Sequence, residues 1–186
     1  MTQKKAILAL ANGDIFEGLS VGAEGETTGE VVFNTGHTGY QEILTDPSYA
    51  GQLVTFTVSE VGNYGIHKGD EQHESAQVAG FIARRVCKEP SNWRSQESLP
   101  SFLARSKVVG IEGIDTRKLV RVLRSSGAQQ GIIDSTGASA KALVERARKA
   151  PSMEGQDLAN LVSTKATYRW EEGVEGRDPH PRAHEV

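Results

Sequence analysis

The hydrophobic pattern of the chain predicts β-strands, most of them in its first half. Segments 6–10 and 15–18 are rich in apolar residues and flank Asn12-Gly13, a dipeptide that favours the positive φ angles of a tight hairpin. Segment 52–58 carries apolar or β-branched residues on both faces, so we expect it in the middle of a sheet. Similar residues predict further strands at 30–35, 78–86, 108–111 and 131–133.

Helical periodicity is found mainly in the second half of the chain. Asp115 is a suitable N-cap for a helix at 116–125, and Gly127 is suited to the turn that ends it. Ser139 is placed to cap another helix, which Pro151 ends. Shorter helices are predicted at 40–45, 97–106 and 157–162, and a long loop at 59–77.

The order of these elements predicts a mixed α/β domain, with strands early, helices late and some alternation between them. The core is expected to contain apolar residues from the inner faces of these elements. These residues are Leu8, Ile15, Val32, Phe33, Leu44, Val54, Phe56, Ile82, Val109, Ile111, Leu119, Leu123, Ile132 and Leu143.

Composition and charge exclude several functional classes. The chain has 186 residues, 37% of them hydrophobic, and a formal net charge of −3. Segment 171–186 is acidic, so the remainder is close to neutral and lacks the basic face that nucleic-acid binding requires. The apolar runs are far shorter than the roughly 20 residues that cross a bilayer. Segment 6–11 is too short for the hydrophobic region of a secretory signal peptide, so we expect no signal peptide. We therefore expect no nucleic-acid and no membrane partner.

The single cysteine, Cys87, cannot form an intramolecular disulfide, which favours a reducing, cytoplasmic environment. Arg84, Arg85 and Lys88 are close in sequence, and nearby cations favour a reactive thiolate. No glycine flanks Cys87 to form a nucleophile elbow, and the strand pattern would bury it or leave it on a sheet face. We interpret Cys87 as a structural cysteine.

Three further patterns suggest catalysis or metal binding, but each has a simpler interpretation. Segment 18–22 (GLSVG) matches the G-x-S-x-G pattern of serine hydrolases, yet the polar, glycine-rich segment 23–29 is unsuited to the helix that must follow, so we interpret it as a glycine-bounded turn. His180 and His184 lie in the tail, where ligands are seldom preorganised. A second group combines imidazoles and carboxylates without the i, i+4 spacing that aims two ligands at one ion, so we interpret it as a solvated loop and predict no metal site. Its members are His67, Asp70, Glu71, His73 and Glu74.

Several longer segments together closely resemble one enzyme family. They are 29–35 (GEVVFNT), 38–49 (TGYQEILTDPSY), 62–65 (GNYG), 114–119 (IDTRKL), 127–129 (GAQ) and 155–158 (GQDL). This combination is similar to the small, glutamine-hydrolysing subunit of carbamoyl phosphate synthetase, over about residues 5–170. The segments occur in the order that the family shows.

The resemblance implies a fold and a domain organisation. It predicts an α/β domain of the three-layer swivelling β/β/α type over residues 1–165, with two stacked mixed sheets and helices on one outer face. Residues 166–186 would be a linker or disordered tail toward an absent class I glutamine amidotransferase domain. That domain's nucleophile is a cysteine in a Gly-x-Cys-x-Gly elbow with histidine and glutamate partners, and these segments do not occur here. We therefore predict no catalytic residue and no activity in this chain alone.

The resemblance also implies a role in a larger enzyme, a ligase. That enzyme hydrolyses glutamine and passes ammonia to a large subunit, which uses bicarbonate and ATP to make carbamoyl phosphate for arginine and pyrimidine synthesis. ATP and Mg²⁺ would bind to the large subunit, and this chain, which contains no P-loop or dinucleotide fingerprint, is expected to hold no cofactor.

The family implies one binding residue in this chain, Ser48, which would contact glutamine. The chain itself would dock on the large subunit and border the glutamine site. From the residues alone, the favoured role of Ser48 is to close the turn that Asp46-Pro47 begins, and only the resemblance favours contact with a ligand. An alternative function also remains open, a free-standing, non-catalytic protein-interaction module that reuses this fold.

Overall fold

The fold is a closed barrel, seen in a computed structural model that describes residues 4–153 and 155–169. Within residues 4–153, seven strands follow one another around the barrel in the order β1-β2-β6-β5-β4-β3-β7. The strands are β1 (Lys5–Leu10), β2 (Ile15–Gly22), β3 (Glu26–Asn34), β4 (Gln52–Phe56), β5 (Gly80–Ala83), β6 (Val109–Glu112) and β7 (Gln129–Asp134).

Helices occur where the sequence predicts them, and both predicted N-caps are formed, whereas Gly127 ends its helix with a positive φ of 78° but outside the αL conformation. Asp115 accepts a hydrogen bond from the Lys118 amide at 2.9 Å, and Ser139 accepts one from the Ala142 amide at 3.4 Å. A 3₁₀ turn, Pro47–Tyr49, lies between the first helix and β4. The helices are α1 (Tyr40–Thr45), α2 (Leu99–Arg105), α3 (Thr116–Ser126), α4 (Ala140–Lys149) and α5 (Leu158–Val162).

The sheet is mixed, as predicted. Strands β3, β4, β5 and β6 pair in parallel, whereas β1 pairs antiparallel with β2 and β7, and β7 also pairs antiparallel with β3. The parallel strands need long crossovers, and α1 and α2 lie in two of them. The α/β class with a mixed sheet is therefore confirmed, and the finer three-layer assignment stays a prediction.

Among the described residues, three apolar clusters hold the fold together. The first takes residues from all seven strands and from α3, so it fills the interior of the barrel. The second lies outside β4 and β5, beneath α1, α2 and the long loop that follows β4. The third is small and joins α4 to the outer faces of β1 and β7. The second cluster thus packs α1, the helix that directly precedes the turn at Ser48, against β4 and β5.

The predicted core is largely confirmed, with one error and two partial exceptions. Ile15 is 39% exposed, because the register of β2 points the next residue, Phe16, into the barrel and therefore turns Ile15 outward. Val32 and Phe33 are only half-buried against the clusters. The other predicted core residues are buried, namely Leu8, Leu44, Val54, Phe56, Ile82, Val109, Ile111, Leu119, Leu123, Ile132 and Leu143.

The interpretation of segment 18–22 as a turn is wrong, because it lies within β2. A Cβ at Gly18 would come within 2.4 Å of the Glu112 carbonyl oxygen, and one at Gly22 within 2.4 Å of the Val108 carbonyl oxygen. These glycines therefore permit close packing of β2 against β6 and the residue that precedes it. Ser20 lies in the middle of this strand and not on a nucleophile elbow.

The chain divides into two compact units, Met1–Gln156 and Asp157–Val186. The first contains the barrel, and the second contains α5. The predicted boundary between residues 165 and 166 stays a prediction, since most of the predicted tail lies outside the described residues. His180 and His184 also lie outside them.

Candidate functional site

The predicted ligand residue Ser48 lies on a short turn between α1 and β4. The Asp46 carboxylate accepts a hydrogen bond from the Ser48 amide at 2.8 Å, and the Asp46 carbonyl accepts one from the Tyr49 amide at 3.0 Å. Pro47 occupies the first position of the 3₁₀ turn, where its fixed φ suits the geometry. The backbone at Ser48 is thus held by its neighbours, and the side chain is not needed to close the turn.

The turn is also anchored to the barrel. The Tyr49 hydroxyl accepts a hydrogen bond from the Asn34 side chain at 2.9 Å, at the end of β3. The Gly51 carbonyl accepts one from the Glu30 amide at 3.2 Å. Ser48 itself is exposed, and among the described residues no hydrogen bond involves its hydroxyl. The hydroxyl is therefore presented to solvent on a fixed backbone, a geometry that can donate to or accept from a small polar ligand.

Two tyrosines from separate segments of the family resemblance form one structural unit. The rings of Tyr40 and Tyr64 stack with centroids 4.2 Å apart. The Tyr40 hydroxyl donates to the Gly65 carbonyl at 2.6 Å, and the Tyr64 hydroxyl accepts from the Gly39 amide at 2.7 Å. Burial, reinforced by the neighbouring Tyr64, raises the pKa of Tyr40, and burial also raises the pKa of Tyr64. Both phenols stay neutral at physiological pH and join the start of α1 to the long loop.

Gln41 and Thr45 continue this attachment along α1. The buried Gln41 amide donates to the His67 carbonyl at 2.8 Å and accepts from the His67 amide at 2.9 Å. The Thr45 hydroxyl accepts from the Gln72 amide at 2.9 Å. Sequence reasoning did not identify these roles, because the partners are 26 and 27 residues away and the loop has no periodicity. The long loop is therefore built onto the same helix that carries the Ser48 turn.

The histidine and carboxylate group does not converge on a common point. The His67 Nδ1 and the Asp70 Oδ1 lie 3.8 Å apart, and one nitrogen of the Arg94 guanidinium lies 2.9 Å from each, so these two groups are bonded to an arginine. Glu71 instead accepts from the Gly69 amide at 2.6 Å, and His73 contacts residues of its own turn. Within residues 4–153 and 155–169, no group of three or more histidine, cysteine or acidic residues is arranged to hold a metal.

Cys87 lies beside an open cavity of about 410 Å³ with mixed charge on its walls. The half-buried thiol donates to the Glu89 carbonyl at 3.3 Å, and the Cys87 amide donates to the Val61 carbonyl at 2.8 Å. The nearby Arg85 side chain is 3.1 Å from the Glu60 carboxylate. These contacts agree with the interpretation of Cys87 as part of the loop scaffold.

Comparison with known proteins places this barrel and turn in a family. Residues 8–133 match the family model described as carbamoyl-phosphate synthase small chain, CPSase domain. The chain belongs to the carbamoyl-phosphate synthase small-chain family. The match includes Ser48, the stacked tyrosines and five complete strands of the barrel, while β1 (Lys5–Leu10) and β7 (Gln129–Asp134) extend just past its limits.

Individual small chains are similar along most of this chain. The carbamoyl phosphate synthase small chain of Syntrophotalea carbinolica is 55% identical over 91% of this chain and 45% of its own length. Those of Xanthomonas axonopodis pv. citri and Aquifex aeolicus are 53% and 49% identical over 93% and 92% of this chain. The chain thus spans a little less than half the length of the curated small chains it matches. No helix among the described residues is long and apolar enough to cross a membrane.

Proposed function

We propose that this chain is the docking and site-completing part of a glutamine-dependent carbamoyl phosphate synthetase. The observation that carries the proposal is its family membership. About half of the aligned residues are identical to those of curated small chains, over more than nine-tenths of this chain. In this role it docks on the large subunit and meets the amidotransferase part of the small chain. The whole enzyme, a cytoplasmic ligase with ATP and Mg²⁺ on its large subunit, makes carbamoyl phosphate from glutamine, bicarbonate and ATP for arginine and pyrimidine synthesis.

The same proposal includes the finer fold class. If the closed barrel is flattened, its two opposed walls correspond to two stacked sheets, and α4 packs outside β1 and β7 as a helical layer would. The swivelling β/β/α arrangement is tested by superposition on an experimental structure of a complete small chain. Coincidence of the two walls with two separate sheets supports it, and a round barrel with equivalent sides contradicts it.

This chain contributes surface and ligand contacts but no nucleophile. Its thiol is hydrogen-bonded to a loop carbonyl, and among the described residues no hydrogen bond joins Cys87 to a histidine. A cysteine needs such a base or an equivalent electropositive site to attack an amide efficiently. The purified chain is therefore expected to release no glutamate from glutamine.

A glutaminase assay tests this proposal. Glutamate release is measured for the chain alone, for the remainder of the small chain alone, and for both with the large subunit. We expect release only when the remainder is present, and faster release in the full assembly. Turnover by the chain alone contradicts the absence of a nucleophile, whereas failure to associate with the large subunit contradicts the proposed docking role and favours a free-standing interaction module.

Ser48 is proposed to bind glutamine in the assembled enzyme. The supporting observation is an exposed hydroxyl on a turn whose backbone is held by Asp46 and Tyr49. Replacing Ser48 with Ala should weaken glutamine binding by about 0.5 to 1.5 kcal/mol, the value of one neutral hydrogen bond, which is roughly two- to twelve-fold in KM.

The matched control for this measurement is Ser59→Ala, at another exposed serine in the loop after β4. It should leave the KM for glutamine unchanged. Equal KM values for the Ser48 variant and the wild type would show that the Ser48 hydroxyl does not contact glutamine and that this residue serves only the turn. The melting temperature of both variants should match that of the wild type, because neither hydroxyl has a hydrogen-bond partner among the described residues.

A further inference from the structure

The turn that carries Ser48 takes its orientation from contacts outside itself. It lies in the crossover 35–51 from β3 to β4, after α1, a helix of only six residues. The helix ends at Asp46, whose backbone is extended, so the axis of α1 does not set the direction of the residues that follow. A helix this short also owes its own stability to packing. The direction of the Ser48 hydroxyl therefore depends on what the turn is bonded to.

Two hydrogen bonds tie the turn to β3 at well-separated points. The Gly51 carbonyl accepts from the Glu30 amide at 3.2 Å, and the Tyr49 hydroxyl accepts from the Asn34 side chain at 2.9 Å. Glu30 and Asn34 both lie on β3, and four residues along a strand correspond to about 13 Å. One tie alone would leave the turn able to pivot, whereas two ties at this separation fix its direction.

The Tyr49 side chain is held in two separate ways. Its half-buried ring packs against the apolar cluster beneath α1, as does Val32. Val32 and Asn34 lie on the same face of β3, because side chains alternate along a strand. The ring is thus held by apolar packing, and the hydroxyl by its hydrogen bond to Asn34. Removal of the hydroxyl alone breaks the second tie and leaves the packing in place.

Asn34, the other member of this tie, is oriented by its own neighbours. Its side-chain oxygen accepts from the Gly36 amide at 2.7 Å, and its carbonyl accepts from the Thr57 amide at 3.2 Å. Because the oxygen is engaged by Gly36, the NH₂ end is the one directed to Tyr49. Among the described residues the Tyr49 hydroxyl makes no other hydrogen bond. The end of β3 therefore presents a fixed donor to the turn.

We propose that Asn34 and Tyr49 are positioning residues that direct the Ser48 hydroxyl toward bound glutamine, an inference that rests on the proposed function. Neither side chain contacts the ligand, and each acts through the turn. Tyr49 follows Ser48 directly in the chain, so the backbone passes a change in its direction on to Ser48. Loss of the tie weakens glutamine binding and leaves amide cleavage itself unchanged. The expected signature is a higher KM at constant kcat.

Glutaminase kinetics of the complete small chain with its large subunit test this inference. Tyr49→Phe removes only the tie and should raise the KM for glutamine by roughly two- to five-fold, with kcat unchanged. Its effect should not exceed that of Ser48→Ala, because Tyr49 acts through the Ser48 hydroxyl.

The double variant Ser48→Ala/Tyr49→Phe separates positioning from direct contact. Without the Ser48 hydroxyl there is nothing for Tyr49 to direct, so the double variant should have the KM of Ser48→Ala alone. Asn34→Ala should raise the KM as Tyr49→Phe does. Asn34→Asp should keep it near the wild-type value, because a carboxylate accepts from both the Tyr49 hydroxyl and the Gly36 amide.

Tyr40→Phe is the matched control, since it removes one tyrosine hydroxyl from one hydrogen bond, that to the Gly65 carbonyl. This bond holds the start of α1 and not the turn at its end. Tyr40→Phe should therefore lower the melting temperature of the small chain and leave the KM for glutamine unchanged. A general loss of stability is thereby distinguished from a loss of orientation at Ser48.

The outcomes separate this inference from the proposed function. An unchanged KM for Ser48→Ala contradicts the proposed contact with glutamine, and with it any role in directing that hydroxyl. If Ser48→Ala raises the KM and Tyr49→Phe does not, the contact stands and the positioning role is refuted. Multiplied effects in the double variant also refute it, because Tyr49 would then act independently of Ser48. If Tyr49→Phe does not fold, equal KM values for Asn34→Ala and Asn34→Asp contradict the inference.

Discussion

Asp134, at the end of β7, is a fully buried carboxylate that organises the turn into α4. It accepts hydrogen bonds from the amides of Thr136, Gly137 and Ala138 at 3.0–3.1 Å and from the Thr136 hydroxyl at 2.6 Å. Burial by itself would raise the pKa of Asp134, but these hydrogen bonds outweigh burial and lower the pKa below its ordinary value. The ionised form is thus the one that stabilises the fold.

Asp134→Asn should lower the free energy of unfolding at pH 7 by about 1 to 3 kcal/mol, because an amide cannot satisfy the same donors. Since the folded-state pKa of Asp134 is depressed, its stabilising contribution is present above the unfolded-state value of about 3.9 and is lost as the pH falls through the folded-state pKa. Urea denaturation at a series of pH values checks this. The difference between wild type and variant should shrink on acidification.

Glu74→Gln is the control for Asp134, since Glu74 is an exposed carboxylate in the long loop. It should change the free energy of unfolding by less than about 0.5 kcal/mol. A difference between wild type and Asp134→Asn that stays constant from pH 7 to acid would show that the charge of Asp134 contributes nothing.

At the scale of elements, side chains of α1 hold the long loop after β4 by hydrogen bonds to its backbone. Replacing Gln41 with Ala removes both bonds to the His67 backbone and leaves that backbone without side-chain partners. We expect the free energy of local opening of the loop to fall by about 1 to 3 kcal/mol, because alanine cannot make the hydrogen bonds of the buried Gln41 amide. Amide hydrogen exchange at positions 67 and 72 should accelerate by roughly five- to 150-fold.

Lys68→Ala is the control in the same loop, since this side chain is exposed and its backbone amide is held by Gln96. Exchange at positions 67 and 72 should stay as in the wild type. If Gln41→Ala accelerates exchange equally in the barrel strands, the helix stabilises the whole domain and the loop is not a separate unit.

At the scale of the whole molecule, β7 closes the barrel by pairing with β1 on one side and β3 on the other. Gly131 lies at this closure, opposite Leu10 and Gly29. A Cβ there would come within 2.5 Å of Val31 and within 3.4 Å of Leu8 in the barrel interior. The absence of a side chain at Gly131 therefore allows β7 to pair this closely with β1 and β3.

Gly131→Ala should lower the free energy of unfolding by about 1 to 3 kcal/mol, because the added methyl group overpacks the barrel interior. Thermal denaturation followed by circular dichroism measures the change. Gln130→Ala, at the neighbouring half-buried position of β7, should have a much smaller effect. Equal melting temperatures for Gly131→Ala and the wild type would mean that the barrel relaxes around the methyl group.

Local chemistry in the sequence determined most secondary structure. Asn12-Gly13 supplies a hairpin turn, Asp115 and Ser139 cap their helices, and the strand at 52–58 was placed correctly within a sheet. Each of these depends on residues close in the chain. The family resemblance likewise identified the small-chain family and pointed to Ser48, whose contact with glutamine is still a prediction.

Tertiary structure alone decided the features that join distant residues. The sequence does not specify whether Ile15 or Phe16 faces inward, because either choice satisfies the strand pattern and only pairing with β1 selects one. Closure of the barrel, the attachment of the loop to Gln41 and the bond between Asn34 and Tyr49 likewise depend on contacts between distant segments. Such contacts leave no periodic signal in the sequence, since their energy is gained only when the whole chain has folded.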